Sequence, residues 1–278
     1  MIESRNLFKL QTKLTKNGKT IPVKTIEKDY VLAWILIGIA KSKLCDALCF
    51  KGGTALKKIY FPNYRFSEDL DFTLLKDLSI KDIEEELAKV YAIVLDLSNI
   101  GLALKSNESH ANGYTFFINF SGPLEANMAK GEIKTDFTIN EKLVYEPAIK
   151  PLMQEYEEYR DIPEGIELKV YTLEEIFLEK YLSVLDNSRN EPRDVYDLWY
   201  LTSNKCLEFD HLCRAIKEKG VHKGIKSFNI IGALDRKEQN YSKLWITRLD
   251  NHMIDLPYFD KIYRELKRYL KPLSRALQ

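Results

Sequence analysis

Two aspartates, Asp69 and Asp71, are separated by one residue in a segment that alternates acidic and hydrophobic side chains. Side chains of a β-strand point to opposite faces in turn, so an extended conformation would project both carboxylates from one face. Two adjacent carboxylates repel each other unless a divalent cation lies between them. Mg²⁺ prefers hard oxygen ligands and usually keeps water and substrate phosphate in its coordination shell. The pair therefore predicts a metal site suited to the chemistry of a triphosphate.

A glycine turn precedes the acidic pair. The apolar segment 47–50 predicts a short buried strand, and Gly52, Gly53 and Thr54 follow it. Because glycine has no Cβ, the backbone of such a turn can approach a ligand closely. We expect Thr54 to open a helix over residues 55–60 and to place its hydroxyl and free N–H groups at the positive helix end, where phosphate binds.

Each motif alone has an ordinary structural explanation. A Gly-Gly-Thr sequence is most often just a turn, and an isolated Asp-x-Asp sequence is most often a solvent-exposed strand edge. Here the two occur close together, in the order strand, glycine turn, helix, loop and acidic strand. This order is far less common by chance, and it favours a site that holds a nucleoside triphosphate and its metal ion.

The surrounding hydrophobic pattern predicts the elements that must position these residues. Helix and strand patterns alternate up to about residue 165, and the rest is predominantly helical. We therefore expect an α+β protein, with a mixed sheet and flanking helices in a domain over residues 1–165 and a helical C-terminal domain over 166–278. In the first domain, the expected helices cover 24–43, 54–60 and 80–98, the expected strands cover 69–74, 103–105, 114–120 and 132–139, and a Pro- and acid-rich loop covers 147–167.

The segment from Lys51 to Asp71 resembles the first motif of the nucleotidyltransferase superfamily with the polymerase β-like fold. Within that superfamily, the chain resembles the AbiEii/AbiGii toxin family of type IV toxin–antitoxin and phage-abortive systems. The family shows a GG(S/T) turn, an S-x-D-x-D strand, a lysine on a later helix and an R-D-x-Y-D-L helix. The similarity spans roughly residues 24–201, and the matching residues are Gly52, Gly53, Thr54, Ser67, Asp69, Asp71, Lys180, Arg193, Asp194, Tyr196, Asp197 and Leu198.

The resemblance implies a role for most of these residues. Asp69 and Asp71 would bind Mg²⁺, or alternatively Mn²⁺, and Asp136 on a neighbouring strand would be the third acid of the catalytic and metal site. Lys180 would be the point charge on the triphosphate. Asp194 would be an active-site acid facing Lys180. The nucleotide-binding site would be completed by Gly52, Gly53, Thr54 and Ser67.

The residue patterns alone also permit structural interpretations. A single aspartate in an alternating strand, such as Asp136, usually has no catalytic role. Lys180 lies near the edge of an apolar helix face, where a lysine is an ordinary surface residue. Arg193 and Asp197 are spaced to form an i, i+4 ion pair that would stabilise their helix. We therefore interpret Asp197 as structural and assign the active-site role to Asp194.

The resemblance further implies a metal-dependent toxin that transfers a nucleoside monophosphate from a nucleoside triphosphate to an RNA acceptor and releases pyrophosphate. The implied acceptor is the tRNA 3′ end; tRNA that can no longer be charged would block translation, and a cognate antitoxin would counter the toxin. One alternative is the same chemistry on a protein or small-molecule hydroxyl. Another is a non-catalytic domain that binds nucleotide or RNA, which would be expected to lack one of the acids.

The C-terminal part of the chain is basic. Residues 201–278 carry 16 Lys and Arg against 9 Asp and Glu, a net charge of +7, whereas the whole chain has a net charge of only +1. A basic domain beside an acidic one suggests a polyanionic partner, in agreement with an RNA acceptor. The alternative is a solvated helix face that serves solubility. The densest basic group recurs at helical spacings and consists of Lys261, Arg264, Lys267, Arg268, Lys271 and Arg275.

Length and composition agree with a cytoplasmic enzyme. A chain of 278 residues with 45% hydrophobic content is sufficient for one large or two modest domains. The longest apolar run, residues 31–40, is too short to span a membrane and predicts a buried helix. The start of the sequence does not resemble a signal peptide. The cysteines lack the spacing of a zinc site or of a disulfide framework, so we expect core packing for Cys45, Cys49, Cys206 and Cys213.

Overall fold

The computed structural model describes residues 1–124, 131–207 and 211–277. The chain forms two compact units. The first contains Met1–Glu141 and Pro147–Val170, and the second contains Lys142–Glu146 and Tyr171–Gln278. The boundary expected near residue 165 is a few residues too early, because Glu167–Val170 forms a strand of the sheet in the first unit.

Within the described residues, the first unit contains one mixed sheet of seven strands. They are β1 (Leu48–Lys51), β2 (Leu70–Leu74), β3 (Gly101–His110), β4 (Gly113–Ser121), β5 (Gly131–Thr138), β6 (Ala148–Pro151) and β7 (Glu167–Val170). Their order across the sheet is β3-β4-β5-β2-β1-β7-β6. The pairs β2–β5 and β1–β7 are parallel, and the other neighbours are antiparallel. The two strands that carry the predicted acids, β2 and β5, are therefore direct neighbours.

The helices of the first unit in the described part of the chain are α1 (Ser4–Leu14), α2 (Val23–Ala40), α3 (Gly52–Ala55) and α4 (Ile80–Ser98). Helix α2 buries nearly all of the apolar segment 31–40, as the sequence predicts. Helix α4 begins with a capping box in which Ser79 and Asp82 satisfy each other's backbone N–H groups. No helix in the described part of the chain is both long enough and apolar enough to cross a membrane.

The helix after the glycine turn begins earlier than expected. Helix α3 starts at Gly52 and continues as a π-helical turn over Leu56–Tyr60. The φ angle of Gly52 is +82°, which lets the chain turn from β1 directly into the helix. Thr54 consequently lies inside the first helical turn, and the expected start at residue 55 is wrong.

Two short strands were not expected from the sequence. The segment 147–167, interpreted as a loop, contains β6 and the 3-10 turn Glu157–Tyr159, and it leads directly into β7. Each of these strands has only four residues. Four residues are too few to distinguish strand alternation from an irregular segment. The first unit therefore has a wider sheet than the sequence pattern predicts.

The second unit is helical in its described residues, as predicted. Its helices are α5 (Leu173–Leu185), α6 (Pro192–Ser203), α7 (Leu212–His222), α8 (Ile230–Leu249) and α9 (Phe259–Leu277). Helix α5 is capped by Thr172, whose hydroxyl accepts a hydrogen bond from the Glu175 N–H. Helix α9 buries Ile262, Leu266 and Leu270 at helical spacing, which leaves its basic residues on the other face.

A fully buried ion pair ties the segment Lys142–Glu146 to the second unit. The Glu175 carboxylate accepts hydrogen bonds from the backbone N–H groups of Val144 and Tyr145, at 3.1 and 2.9 Å. Its other oxygen lies 2.5 Å from Lys219 Nζ, and both side chains have no exposed surface. Because a buried charge requires a partner, this pair explains why a segment between β5 and β6 of the first unit belongs to the second unit.

No disulfide joins any of the four cysteines, all of which lie in the described part of the chain. Cys49 is buried in β1, as expected, whereas Cys45, Cys206 and Cys213 are partly exposed. The expectation of core packing is therefore right for Cys49 and wrong for the other three.

Candidate active site

The strand register places two of the predicted acids side by side. Asp71 on β2 pairs with Asp136 on β5 in the parallel ladder. On their other sides, Lys51 on β1 pairs with Asp71, and Thr115 on β4 pairs with Asp136. Directly paired residues share a face of the sheet, so these four residues form one polar row across four strands.

Asp69 lies immediately before β2, and it is partly exposed, as are Asp71 and Asp136. Its backbone carbonyl accepts a hydrogen bond of 2.5 Å from the hydroxyl of Thr54. Thr54 itself is only 1% exposed. The Thr54 hydroxyl thus fixes the backbone at Asp69. To donate a hydrogen bond to a phosphate, as we expected, this hydroxyl would have to break its hydrogen bond to the Asp69 carbonyl.

Charged side chains lie against both glycines of the turn. A Cβ added to Gly52 would lie 2.3 Å from Asp71 Oδ2, and a Cβ added to Gly53 would lie 2.5 Å from Arg65 Nη2. The glycine turn is therefore flanked by a carboxylate on one side and a guanidinium on the other. Arg65 is not among the residues that the sequence patterns select, and its only local signal is its place two residues before the predicted nucleotide-binding residue Ser67. Both residues are buried.

Both carboxylate oxygens of Asp136 are engaged. The hydroxyl of Thr115 donates a hydrogen bond of 2.5 Å to Oδ1. The ammonium of Lys134 lies 2.5 Å from Oδ2. Lys134 is two residues before Asp136 on β5 and so shares its face of the sheet. Neither Lys134 nor Thr115 was predicted to belong to the site, because cross-strand partners are not visible in a sequence before the register is known.

Four buried charges support the helical turn that follows the glycines. In the π-helical turn, Lys57 Nζ lies 3.1 Å from Glu155 Oε2, and Lys58 Nζ lies 2.7 Å from Asp29 Oδ2. The Lys57 ammonium also lies 4.3 Å from the centre of the Phe66 ring. Burial of an unpaired charge is costly, so these pairs strongly specify the position of the turn.

The second unit holds the other predicted site residues in one cluster. Lys180 Nζ lies 2.6 Å from Asp194 Oδ1 and 2.9 Å from Asp197 Oδ2. The side chains of Lys180, Asp194 and Asp197 are 12%, 3% and 0% exposed. The structure thus brings Lys180 and Asp194 together, and Lys180 is not an ordinary surface lysine.

Two members of this cluster differ from expectation. Asp197, expected to pair with Arg193, contacts Lys180, whereas Arg193 Nε lies 3.1 Å from Glu191 Oε1. No sequence pattern selects Arg189, yet its Nε lies 2.6 Å from Asp194 Oδ2. The cluster therefore contains two cations and two carboxylates, and it is neutral as a whole.

The cations of the cluster favour the ionised form of Asp194. Burial alone would raise the pKa of the Asp194 carboxyl, but the adjacent Lys180 and Arg189 outweigh that effect and hold this pKa below its usual value. The ammonium of Lys237 donates hydrogen bonds to the carbonyls of Val184 and Arg189, at 2.7 and 2.9 Å. Lys237 thus fixes the loop between α5 and α6, from which Arg189 reaches Asp194.

The acids of the first unit suit a magnesium ion that substrate helps to bind. Among the residues that the structure describes, no group of three or more His, Cys, Asp or Glu is arranged to hold a metal ion by itself. Mg²⁺, however, is usually bound by one or two carboxylates together with substrate phosphates. Asp71 and Asp136 are adjacent in register, and Asp69 is two residues from Asp71. Their hard oxygen atoms beside a glycine turn fit such an ion.

A mixed sheet with adjacent aspartates beside a glycine turn agrees with the resemblance to nucleotidyltransferases found in the sequence. The family model described as nucleotidyl transferase AbiEii toxin, type IV TA system, matches residues 34–271. The chain belongs to this family. The match confirms the resemblance recognised in the sequence, and it identifies the protein as a nucleotidyltransferase. Membership also implies a nucleoside triphosphate substrate and a cognate antitoxin.

Solved structures share the fold. JHP933 from Helicobacter pylori is similar with a TM-score of 0.58 and 16% sequence identity, over 92% of this chain and 94% of that chain. MenT4, the nucleotidyltransferase toxin Rv2826c from Mycobacterium tuberculosis H37Rv, is similar with a TM-score of 0.60 and 16% identity, over 89% of this chain and 82% of that chain. No curated protein sequence matches this chain. The structural likeness confirms the expected α+β fold with its mixed sheet and helical C-terminal part.

We expect Gly52→Ala to destabilise the first unit by about 1–2 kcal/mol, because a side chain strains the backbone at positive φ. Nucleotide transfer should fall much further, since the added Cβ would displace the Asp71 carboxylate. Gly18→Ala is the matched control, because Gly18 has a φ of +78° and nothing lies within 4 Å of its Cβ position. Thermal unfolding should detect a similar loss in both variants. Equal transfer by both variants would show that the space at Gly52 does not matter for catalysis.

Proposed function

We propose that this protein transfers a nucleoside monophosphate from a nucleoside triphosphate to an RNA hydroxyl, with the tRNA 3′ end as acceptor. The acceptor hydroxyl would attack the α-phosphate, and pyrophosphate would leave. The observation that supports this most directly is the position of Asp71, which lies against Gly52 and pairs in register with Asp136. The modified tRNA could not be charged, so translation would stop until a cognate antitoxin counters the toxin.

Different residues would bind the triphosphate, hold the metal ion and accept the proton in this reaction. Gly52 and Gly53 would let the backbone approach the triphosphate. Lys180 keeps the role that the family resemblance implies, a compact positive charge for a phosphate. Asp69, Asp71 and Asp136 would hold Mg²⁺ or Mn²⁺. When bound, such an ion polarises the α-phosphate and neutralises charge on the leaving pyrophosphate. Asp136 is also the carboxylate that would accept the proton of the attacking hydroxyl.

Helix α9 supports the choice of RNA as acceptor. Its exposed side chains include Lys261, Arg264, Arg268, Lys271 and Arg275. Lys267, which the sequence places in the same group, is instead engaged by Asp235 at 2.6 Å and by Glu238 at 3.6 Å. The exposed basic face is therefore continuous without Lys267, and it is suited to contacts with phosphates along an RNA strand.

Charge reversal on this face is expected to weaken tRNA binding. The double variant Arg268→Glu and Lys271→Glu should bind all tRNA sequences less tightly. The slope of log affinity against log salt concentration should become shallower by roughly 0.7–0.9 for each phosphate that is no longer neutralised. Binding of the triphosphate should not change. The control is Lys76→Glu with Lys81→Glu, which reverses the same charge at exposed positions of the first unit. Binding measured by filter retention at several salt concentrations compares the two; equal losses of affinity would remove α9 from the RNA site.

The acceptor and the nucleotide can be identified in one experiment. Purified protein is incubated with total tRNA, Mg²⁺ and each labelled triphosphate in turn, and the products are separated on denaturing gels. Label in tRNA that is removed by a 3′ exonuclease would support the proposal. Label in protein, or none in RNA with any of the four triphosphates, would exclude tRNA as the acceptor and favour a protein or small-molecule hydroxyl.

A further inference from the structure

Lys134 and Asp136 form a short ion pair on the proposed metal-binding face. The distance from Lys134 Nζ to Asp136 Oδ2 is 2.5 Å, and the two side chains are 42% and 27% exposed. The other oxygen of Asp136 accepts a hydrogen bond from Thr115. Protein donors thus engage both oxygens of the carboxylate that lies beside Asp71 in the ladder.

This arrangement opposes the binding of a bare cation. A carboxylate oxygen in contact with an ammonium must give up that contact, at least in part, before it can bind a divalent ion. The ammonium would also repel an ion held between Asp71 and Asp136. The long flexible stem of a half-exposed lysine allows the ammonium to move away when another anion attracts it. A triphosphate that arrives with its metal ion is such an anion.

We infer that Lys134 is an internal counter-ion of the metal site: it neutralises Asp136 while the site is free, and it transfers to the triphosphate when nucleotide and metal bind together. Metal binding would therefore be weak without nucleotide and strong with it. This inference rests on the proposed function, because it takes Asp71 and Asp136 to be metal ligands. Lys134 acts through Asp136 while the site is free, and it contacts the triphosphate once nucleotide is bound.

The same sheet offers a comparable ion pair that has no such role. Lys105 on β3 lies 2.6 Å from Glu132 on β5, and these side chains are 56% and 40% exposed. Surface pairs of this kind contribute little to stability, so removing either lysine should leave the fold intact. The two lysines differ in one respect that matters here: of the two, Lys134 alone contacts a proposed metal ligand. Lys105 is therefore the matched control.

The experiment measures the binding of Mn²⁺ to the full chain by electron paramagnetic resonance, with and without a non-hydrolysable triphosphate analogue. Lys134→Met keeps most of the apolar stem and removes the charge. Without nucleotide, this variant should bind Mn²⁺ up to about tenfold more tightly than the wild type, because a nearby like charge is removed and solvent screening limits the gain. The analogue should then increase its affinity for Mn²⁺ less than it does in the wild type. Lys105→Met should behave as the wild type in both conditions.

Three results would overturn the inference. Unchanged Mn²⁺ affinity in Lys134→Met would reduce the pair to an ordinary surface contact, and weaker affinity would mean that Lys134 only holds Asp136 in a productive orientation. The wild type should bind Mn²⁺, and Asp71→Asn should abolish that binding. A wild type that binds no Mn²⁺, even with the analogue, would contradict the proposed metal site itself and therefore also the role of Lys134.

Discussion

Asp71→Asn is expected to lower nucleotide transfer by roughly a thousandfold or more, since it removes the charge of a proposed metal ligand and leaves a neutral group of the same shape. The fold should survive. Asp71 and Asp136 are adjacent carboxylates, and removing one of two like charges relieves repulsion when no cation is bound. The unfolding temperature should therefore change by only a few degrees. Transfer of labelled nucleotide, measured beside thermal unfolding, separates the two effects.

Glu68→Gln is the control for this variant. It removes the same charge from the residue next to Asp69, but Glu68 lies before β2 begins at Leu70 and is not one of the proposed metal ligands. Transfer by this control should stay within a few-fold of the wild type. Asp69→Asn should behave like Asp71→Asn. Substantial transfer by either aspartate variant would exclude the acidic strand as the metal site, even with the fold intact.

The parts of the site that are local in sequence were predictable. The glycine turn and the Asp-x-Asp strand are separated by one helix and one loop, so their order alone defines the motif. The pairing of Asp136 with Asp71 could not be predicted from alternation, which only indicates that each residue lies on a strand. The two are paired because the sheet order makes β5 the neighbour of β2. The resemblance to a known family supplied that step.

The contacts that the sequence did not reveal join residues that are far apart along the chain. Arg65 reaches Gly53 across the turn, and the segment Lys142–Glu146 is tied to the second unit by Glu175. Neither contact follows from spacing along the chain. Likewise, Asp197 was interpreted from its i, i+4 spacing to Arg193, but the burial of Lys180 gives it a stronger partner on another helix. Local pairing rules fail where a buried charge competes for the same carboxylate.

Lys180→Ala is expected to reduce both stability and transfer. The variant leaves Asp197, which has no exposed surface, without the ammonium at 2.9 Å. Removing one partner of a buried ion pair typically costs about 3–5 kcal/mol, and the remaining partial exposure of Lys180 places this case near the lower end. Transfer should fall more than unfolding alone explains, because Lys180 is also the proposed contact of the triphosphate. Denaturant unfolding and triphosphate binding at one temperature measure the two losses separately.

The stability loss of Lys180→Ala should depend on pH. In the wild type, the pKa of Asp194 is held below its usual value, so its contribution to stability is present at neutral pH and is lost as the pH falls through that lowered pKa. Without Lys180, Arg189 alone offsets the effect of burial, so the pKa of Asp194 should rise. The variant would then be most destabilised at neutral pH, and the difference from the wild type should shrink as the pH is lowered towards about 4. A difference that is independent of pH would contradict this electrostatic origin.

Lys180→Arg distinguishes the structural role of Lys180 from its role in the reaction. Arginine keeps the charge and can contact both Asp194 and Asp197, so the variant should recover most of the stability that Lys180→Ala loses. Its planar, weakly hydrated guanidinium does not replace a compact ammonium at a phosphate, so transfer should recover only in part. Asp197→Asn is the matching control, because it removes a buried charge from the same cluster but keeps Lys180, the proposed triphosphate contact, in place. It should reduce stability while triphosphate affinity changes little. If Lys180→Arg restores transfer completely, or if Asp197→Asn weakens triphosphate binding as much as Lys180→Ala does, Lys180 acts only by holding the cluster together.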